Sequence, residues 1–201
     1  MELVLVRTVL LDLDGVVRHF DPALVCEVEV RHGLEPGVLD AAAFEPTLLN
    51  RAITGEITRA EWVARVGAVV DNPAAAAERL SERGRVDWKL IEEVTALREA
   101  GVVVAILTNG TDTIDEEMLA LGIVDHFDAI FNSASIGYAK PDRRVFEHVC
   151  RILNVAASDV FFTDDTASNV AAAKELGMIA RLFEGVAGFR RHVDEFVHRV
   201  D

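Results

Sequence analysis

Five short runs of β-branched and aliphatic residues, each bounded by polar turn residues, punctuate the chain at Thr8 to Leu11, Val102 to Leu107, Ala129 to Phe131, Val160 to Phe162 and Ile179 to Leu182. Continuous apolar runs of this length suit strands buried on both faces of a parallel sheet. Between the later runs, Ile114 to Leu121, Arg144 to Leu153 and Ser168 to Leu176 place apolar residues three and four apart, which predicts helices. Pro141 and Asp142 begin the second of these helices, and Gly177 ends the third. Strand and helix alternate, so the expected fold class is α/β with a doubly wound parallel sheet.

The long interval after the first run breaks this alternation. Residues from about Asp21 to Arg85 show no strand pattern, only amphipathic pieces at Pro22 to Arg31, Ala60 to Val70 and Ala74 to Arg83. A crossover needs a single helix, so the excess predicts a small helical cap over the edge of the sheet. The expected division is a core of residues 1–20 and 86–201 with a cap of residues 21–85. Near the end, Phe189, Val193, Phe196, Val197 and Val200 make one apolar stripe, expected to pack on the core, with a dimer contact as the other option.

At 201 residues and 51% hydrophobic, the chain can bury one catalytic-sized core. Cys26 and Cys150 lie far apart in apolar helical contexts, without metal or disulfide spacing, and fit a reducing, cytoplasmic setting. The opening Met1-Glu2-Leu3-Val4-Leu5-Val6-Arg7 lacks a basic start and a cleavage site, so a soluble, unprocessed chain is expected. No run approaches bilayer length. A formal net charge of −14 disfavours nucleic acid or an anionic membrane as partner. Most of that charge is explained by a solvated surface. A phosphate ester could still be accepted if carboxylates hold a divalent cation that reverses the local field.

The candidate chemistry collects at the carboxyl ends of the predicted strands, where open parallel sheets place their ligand sites. The first strand runs into Leu11-Asp12-Leu13-Asp14-Gly15, two carboxylates facing one side before a glycine that lets the backbone turn. Two acids so close repel unless a cation or shared proton relieves them. Leu107-Thr108-Asn109-Gly110 offers a hydroxyl and backbone N–H groups to phosphoryl oxygens. Ala139-Lys140-Pro141-Asp142 brings one lysine, and Thr163-Asp164-Asp165-Thr166, with Asn169 beyond it, brings two more acids. Each has an ordinary alternative as a turn, an N-cap, a solvated lysine or acids at a helix start. Their recurrence at successive strand ends favours one shared site.

In this order the four segments resemble the motifs of the haloacid dehalogenase (HAD) superfamily over nearly the whole chain. The run Asn169-Val170-Ala171-Ala172-Ala173-Lys174-Glu175-Leu176-Gly177-Met178 is similar to members with a small helical (C1-type) cap, near the glucose-1-phosphatase-like and epoxide hydrolase phosphatase-domain branch. The resemblance implies a Rossmann-like core and a Mg²⁺-dependent phosphatase that hydrolyses small phosphate monoesters, sugar phosphates among them. Asp12 would be the nucleophile that forms an aspartyl-phosphate, and Asp14 the general acid and base with its carbonyl on the metal. Asp165 would be the direct metal ligand of the acidic pair, with Asp164 and Asn169 behind it. Thr108, Asn109, Gly110 and Lys140 would hold the phosphoryl group. Many relatives carry an acid where this chain has Asn169, so metal binding of modest affinity is expected.

The carboxyl of Asp14 disfavours the superfamily's dehalogenase chemistry, which needs no proton for a halide. A phosphomutase similar to β-phosphoglucomutase is the alternative, although the cations that would hold a bisphosphate are not identifiable among Arg18, His19, Arg51 and Arg59. A catalytically silent binding protein is the alternative from another class. Arg18, His19, Phe20, Phe44, Asn50 and Arg51 are candidates to face the cleft. Of these His19 reads more simply as a surface residue and Phe44 as cap core. The expected partner is a small-molecule phosphate ester, with the protein a monomer or homodimer.

Overall fold

The computed structural model describes residues 6–196, so the first five positions and the stripe residues Val197 and Val200 lie outside the described residues. Strand β1 (Thr8–Leu11) is buried at every position, as its uniformly apolar run requires. It is followed by a loop and by β2 (Arg18–His19). Five helices come next: α1 (Pro22–Arg31), α2 (Val38–Ala43), α3 (Pro46–Ile53), α4 (Arg59–Val69) and α5 (Pro73–Arg79). The chain then returns through β3 (Arg85–Val86) to α6 (Trp88–Glu99), β4 (Val103–Thr108), α7 (Ile114–Ala120) and β5 (Ala129–Asn132). It closes with α8 (Ser133–Ile136), α9 (Arg143–Leu153), β6 (Val160–Asp164), α10 (Ala167–Leu176), β7 (Ile179–Leu182) and α11 (Val186–Phe196).

The sheet runs β5-β4-β1-β6-β7, all parallel, with β1 at its centre. Leu11 is in register with Ile106 on one side and Thr163 on the other, so β4, β1 and β6 release their chains at one edge. Alternation along the strands splits the core. Val9, Leu11, Val104, Ile106 and Phe161 pack with residues of α6, α7 and α11, while Leu10, Ala105, Leu107 and Phe162 pack with α9 and α10. Phe189 and Val193 of α11 are buried in the first layer, and Phe196 stacks on Phe161.

The helices of residues 22–79 gather round a third apolar cluster that includes Leu39, Trp62, Val66, Ala75 and Leu80. Trp62 Nε1 donates to the Ala43 carbonyl at 3.1 Å, which satisfies the indole inside that cluster. Thr58 and Glu61 form a reciprocal capping box at the start of α4.

Two expectations need correction. Residues 21–85 are not free of strand, because Arg85 pairs antiparallel with His19 in a two-residue ribbon where the chain leaves the sheet and returns to it. So short a pairing has no periodicity to read. The third amphipathic piece stops at Arg79 rather than Arg83, since the chain turns through Gly84 at φ +69° to enter that ribbon. Cys26 lies on α1, where it is exposed, and Cys150 on α9, where it is partly buried.

Candidate active site

The edge where β1, β4 and β6 end collects the chemistry. The Asp12 N–H donates to the Thr163 carbonyl at 3.0 Å, the last rung before β1 gives way to its loop. Gly15 sits at φ +85°, and a Cβ there would lie 1.9 Å from Asp165 Oδ2, so glycine is required both by the turn and by the approach of that carboxylate. Asp12 is buried. Its Oδ1 accepts from the Leu13 N–H at 2.7 Å and from Lys140 Nζ at 2.7 Å, while no hydrogen bond or ion pair among the described residues reaches Oδ2. Burial pushes its pKa up to about 7, against the pull of Lys140 and with the push of Asp164.

Lys140 is also buried; its ammonium donates to Asp164 Oδ2 at 2.7 Å and to the Leu107 carbonyl at 2.8 Å, and is ion-paired with Asp12 Oδ1 at 2.7 Å. Its single positive charge faces two carboxylates, and its contacts tie the ends of β1, β4 and β6 together. With these three contacts made, a direct contact with a phosphoryl oxygen would require one of them to exchange. Asn109 clips the same segment, accepting from the Lys140 N–H at 2.8 Å and donating to the Lys140 carbonyl at 2.8 Å. Its amide is occupied in this way, which leaves its backbone N–H as the group for a ligand. A Cβ on Gly110 would fall 2.1 Å from Ile114 Cγ1, so only glycine fits there. Thr108, the last residue of β4, is buried beside them.

The two acids after β6 differ in kind. Asp164 is fully buried, and both its oxygens are taken, by Lys140, by Asn169 Nδ2 at 3.1 Å to each, and by the Thr166 N–H at 2.8 Å. Asp165 is exposed and, among the described residues, accepts only from its neighbour Thr166 Oγ1, at 3.1 Å. Asp12, Asp164 and Asp165 each bring a carboxylate oxygen within 4.8 Å of the others. An all-oxygen set of this kind suits a hard divalent cation. The donors thus fit Mg²⁺, with Asp12 and Asp165 the groups free to bind it.

Asp14 stands apart from that trio. Its carboxylate is held by Arg18, Nε to Oδ1 at 2.6 Å and Nη2 to Oδ2 at 3.1 Å, and Arg18 Nη1 reaches Glu117 Oε2 at 2.7 Å. Glu117 Oε1 lies 3.1 Å from Arg59 Nη1 at the start of α4 and accepts from Thr113 Oγ1 at 2.7 Å. Burial raises the pKa of Glu117, but the hydrogen bonds from Thr113 and Arg18 and the charge of Arg59 lower it more, so its carboxyl is held below the usual range. Arg18 is one of the residues expected to face the cleft; its partner Asp14 is four residues away, whereas the role of Glu117 was not legible, because it depends on folding distant segments together.

A cavity of about 250 Å³ opens between these groups and the helical insertion, and its lining includes Asp14, Arg18, Phe20, Phe44, Asn109 and Glu117. Phe44, expected inside the cap, is half-exposed on this cleft. His19 is half-exposed and faces Asp87 at 3.9 Å. Asn50 lines a separate, more polar groove beside Tyr138 and Lys140, and Arg51 pairs with Glu56 at 3.4 Å.

The family model for haloacid dehalogenase-like hydrolases matches residues 6–177. The chain is 24% identical over 200 residues to bifunctional epoxide hydrolase 2 of Rattus norvegicus, covering 90% of this chain and 35% of the rat protein. It is 33% identical over 96 residues to sesquiterpene phosphatase astK of Aspergillus oryzae, covering 47% of this chain and 49% of the fungal protein. The match therefore spans about a third to a half of these relatives' lengths. Among solved structures, a HAD family enzyme of Bacteroides thetaiotaomicron, crystallised with magnesium and inorganic phosphate, superposes with a TM-score of 0.78 at 20% identity, covering 92% of this chain and 98% of that one. Among the described residues no helix is long and apolar enough to cross a membrane.

Proposed function

The chain belongs to the haloacid dehalogenase-like hydrolases, and from that premise we propose that it is a Mg²⁺-dependent phosphatase of small-molecule phosphate monoesters, acting through Asp12 with residues 21–85 as its cap. The observation that carries the reading is the state of Asp12. One oxygen is paired with Lys140, the other has no partner among the described residues, and a second carboxylate, Asp14, stands two residues on. The phosphatase among the relatives and the magnesium and phosphate held by the Bacteroides enzyme support it.

Asp12, Asp165 and the backbone carbonyl of Asp14 would hold the ion, which when bound supplies positive charge to the phosphoryl oxygens. The free oxygen of Asp12 forms the bond to phosphorus as the bond from phosphorus to the ester oxygen breaks. Asp14 gives the departing alkoxide its proton. In the second half Asp14 takes a proton from water, the water oxygen bonds to phosphorus, and inorganic phosphate leaves with Asp12 restored. The Thr108 hydroxyl and the backbone N–H groups of Asn109 and Gly110 hold the equatorial oxygens, while Lys140 fixes Asp12 and balances its charge.

A dehalogenase has no use for the Asp14 carboxyl. A phosphomutase needs free cations for a second phosphate, whereas Arg18, Arg59 and Arg79 on the cleft are each ion-paired. The test is phosphate release from p-nitrophenyl phosphate and a panel of esters, with Mg²⁺ or chelator, for the wild type and Asp12→Asn. Release that requires both Mg²⁺ and Asp12 is the expected result. No release from any ester would overturn the reading and return the silent binding protein.

A further inference from the structure

We infer that the side of the cleft away from Asp12 takes the apolar, uncharged alcohol of the ester, an aliphatic or aromatic one, rather than a sugar or a leaving group bearing a second anion. This rests on the phosphatase reading for the phosphoryl end. The cavity of about 250 Å³ is walled by Phe20, Phe44, Leu49, Ile53, Trp62 and Ile114. Phe20 and Phe44 are 38% and 50% exposed, and two large aromatics left open on one concave surface mark a place where apolar contact is to be made.

The polar residues of the wall are already engaged, with one another or with groups behind the wall. Asp14, Arg18, Glu117 and Arg59 form one chain of alternating charge. Arg79 is closed between Asp40 at 3.0 Å and Glu82 at 3.7 Å. The Asn109 amide is bound to the Lys140 backbone, the Thr111 hydroxyl to Thr113 at 3.1 Å, and the Trp62 N–H to Ala43. A sugar would have to give up its hydration here without unengaged side-chain partners for its hydroxyls, and a second phosphate or carboxylate would find each of these cations paired. An apolar alcohol loses only water that was poorly held. Sugar phosphates, named among the esters the family resemblance implies, are therefore disfavoured here.

The test measures kcat/KM for propyl, butyl, pentyl and hexyl phosphate, glucose 6-phosphate and phosphoglycolate, together with calorimetric binding of the same esters to Asp12→Asn in Mg²⁺. Each added methylene should raise both kcat/KM and affinity about fourfold until the cleft is filled. Glucose 6-phosphate and phosphoglycolate should fall at least about tenfold below hexyl phosphate. Phe44→Ser, at a half-exposed position, should flatten the gain per methylene. Turnover with no dependence on chain length, or with glucose 6-phosphate equal to hexyl phosphate, would overturn the inference and leave the phosphatase reading standing. Affinity that climbs with chain length while no ester is hydrolysed would sustain the cleft assignment and overturn the phosphatase. Flat binding with no turnover would overturn both.

Discussion

Arg18 holds the Asp14 carboxylate by a two-point fork, at 2.6 and 3.1 Å, while its remaining terminal nitrogen is 2.7 Å from Glu117. Arg59 meets the other oxygen of Glu117, so an alternating run of charge connects the first residue of α4 to the proposed acid and base. Arg18 lies in the β2–β3 ribbon through which the chain enters and leaves the helical insertion. Asp14 is thereby oriented by the segment that links the insertion to the sheet. A carboxylate on a loop would otherwise sample several rotamers.

Replacing this fork should harm proton transfer more than binding. In Arg18→Met, kcat for an alkyl phosphate should fall about a hundredfold with little change in KM, as expected when a reacting group is misplaced by about 1 Å. In kcat/KM, which reports only the steps up to the aspartyl-phosphate, the fall should be much smaller with p-nitrophenyl phosphate, whose leaving group departs without a proton. Arg18→Lys should not rescue, because one ammonium cannot make the fork. Equal losses in kcat/KM on both substrates would show that Arg18 supports the fold and does not position Asp14 for the leaving group.

Lys140 is the point at which stability and the proposed chemistry meet. Lys140→Met leaves Asp12 and Asp164 facing each other in a buried place, and breaking such a pair should cost about 3–5 kcal/mol. Urea unfolding in chelator should show the loss, and Mg²⁺ should recover part of it by replacing the missing positive charge. A variant as stable as the wild type without metal would mean that the two carboxylates are not both ionised there.

The sheet was legible because its strands are apolar throughout and its helices keep strict three-and-four spacing. The site was legible because Asp12, Thr108, Lys140 and Asp165 each stand next to such an element. Side-chain partnerships were not. Asp14 with Arg18 is a local pair, but Glu117 and Arg59 come from segments 58 residues apart, an interval that follows from their numbering and carries no pattern. Helices α2, α3, α6 and α8 also escaped notice. The first two and the last are short, with little periodicity to read. The 12-residue α6 fell outside the segments read as helical, although it buries Leu90, Ile91, Val94 and Leu97.

Away from the site, Asp128 should contribute to acid sensitivity. Burial pushes its carboxyl up, but Arg98, at 3.0 and 2.7 Å, and the Val104 N–H, at 2.8 Å, outweigh burial and hold it below the usual range. A carboxyl with a lowered native pKa stabilises above its unfolded value of 3.8 and loses that contribution as pH falls through the native value. The stability difference between wild type and Asp128→Asn should therefore be constant above about pH 5 and shrink below about pH 4. A difference that persists undiminished in acid would mean that the side chain's packing, and not its charge, is what matters.

Asn169 offers the sharpest separation of fold from metal. Its amide donates to both oxygens of Asp164 at 3.1 Å, so it stabilises the buried acid that stands beside Asp165. Asn169→Asp keeps the shape, removes the donor and sets a second carboxylate against Asp164. In chelator the variant should lose about 1.5–3 kcal/mol, the usual worth of a hydrogen bond to a charged group. That corresponds to a fall in Tm of roughly 2–4 °C per kcal/mol for a chain of this size. The added negative charge should also strengthen the attraction for Mg²⁺, so the rise in Tm on saturating with the ion should be larger in the variant than in the wild type. The two effects have opposite signs and are read in one experiment. If the metal-free Tm falls but the Mg²⁺-induced rise is unchanged, Asn169 acts on Asp164 alone and the ion lies beyond its field. If neither moves, the bond between Asn169 and Asp164 is not what holds that carboxylate in place.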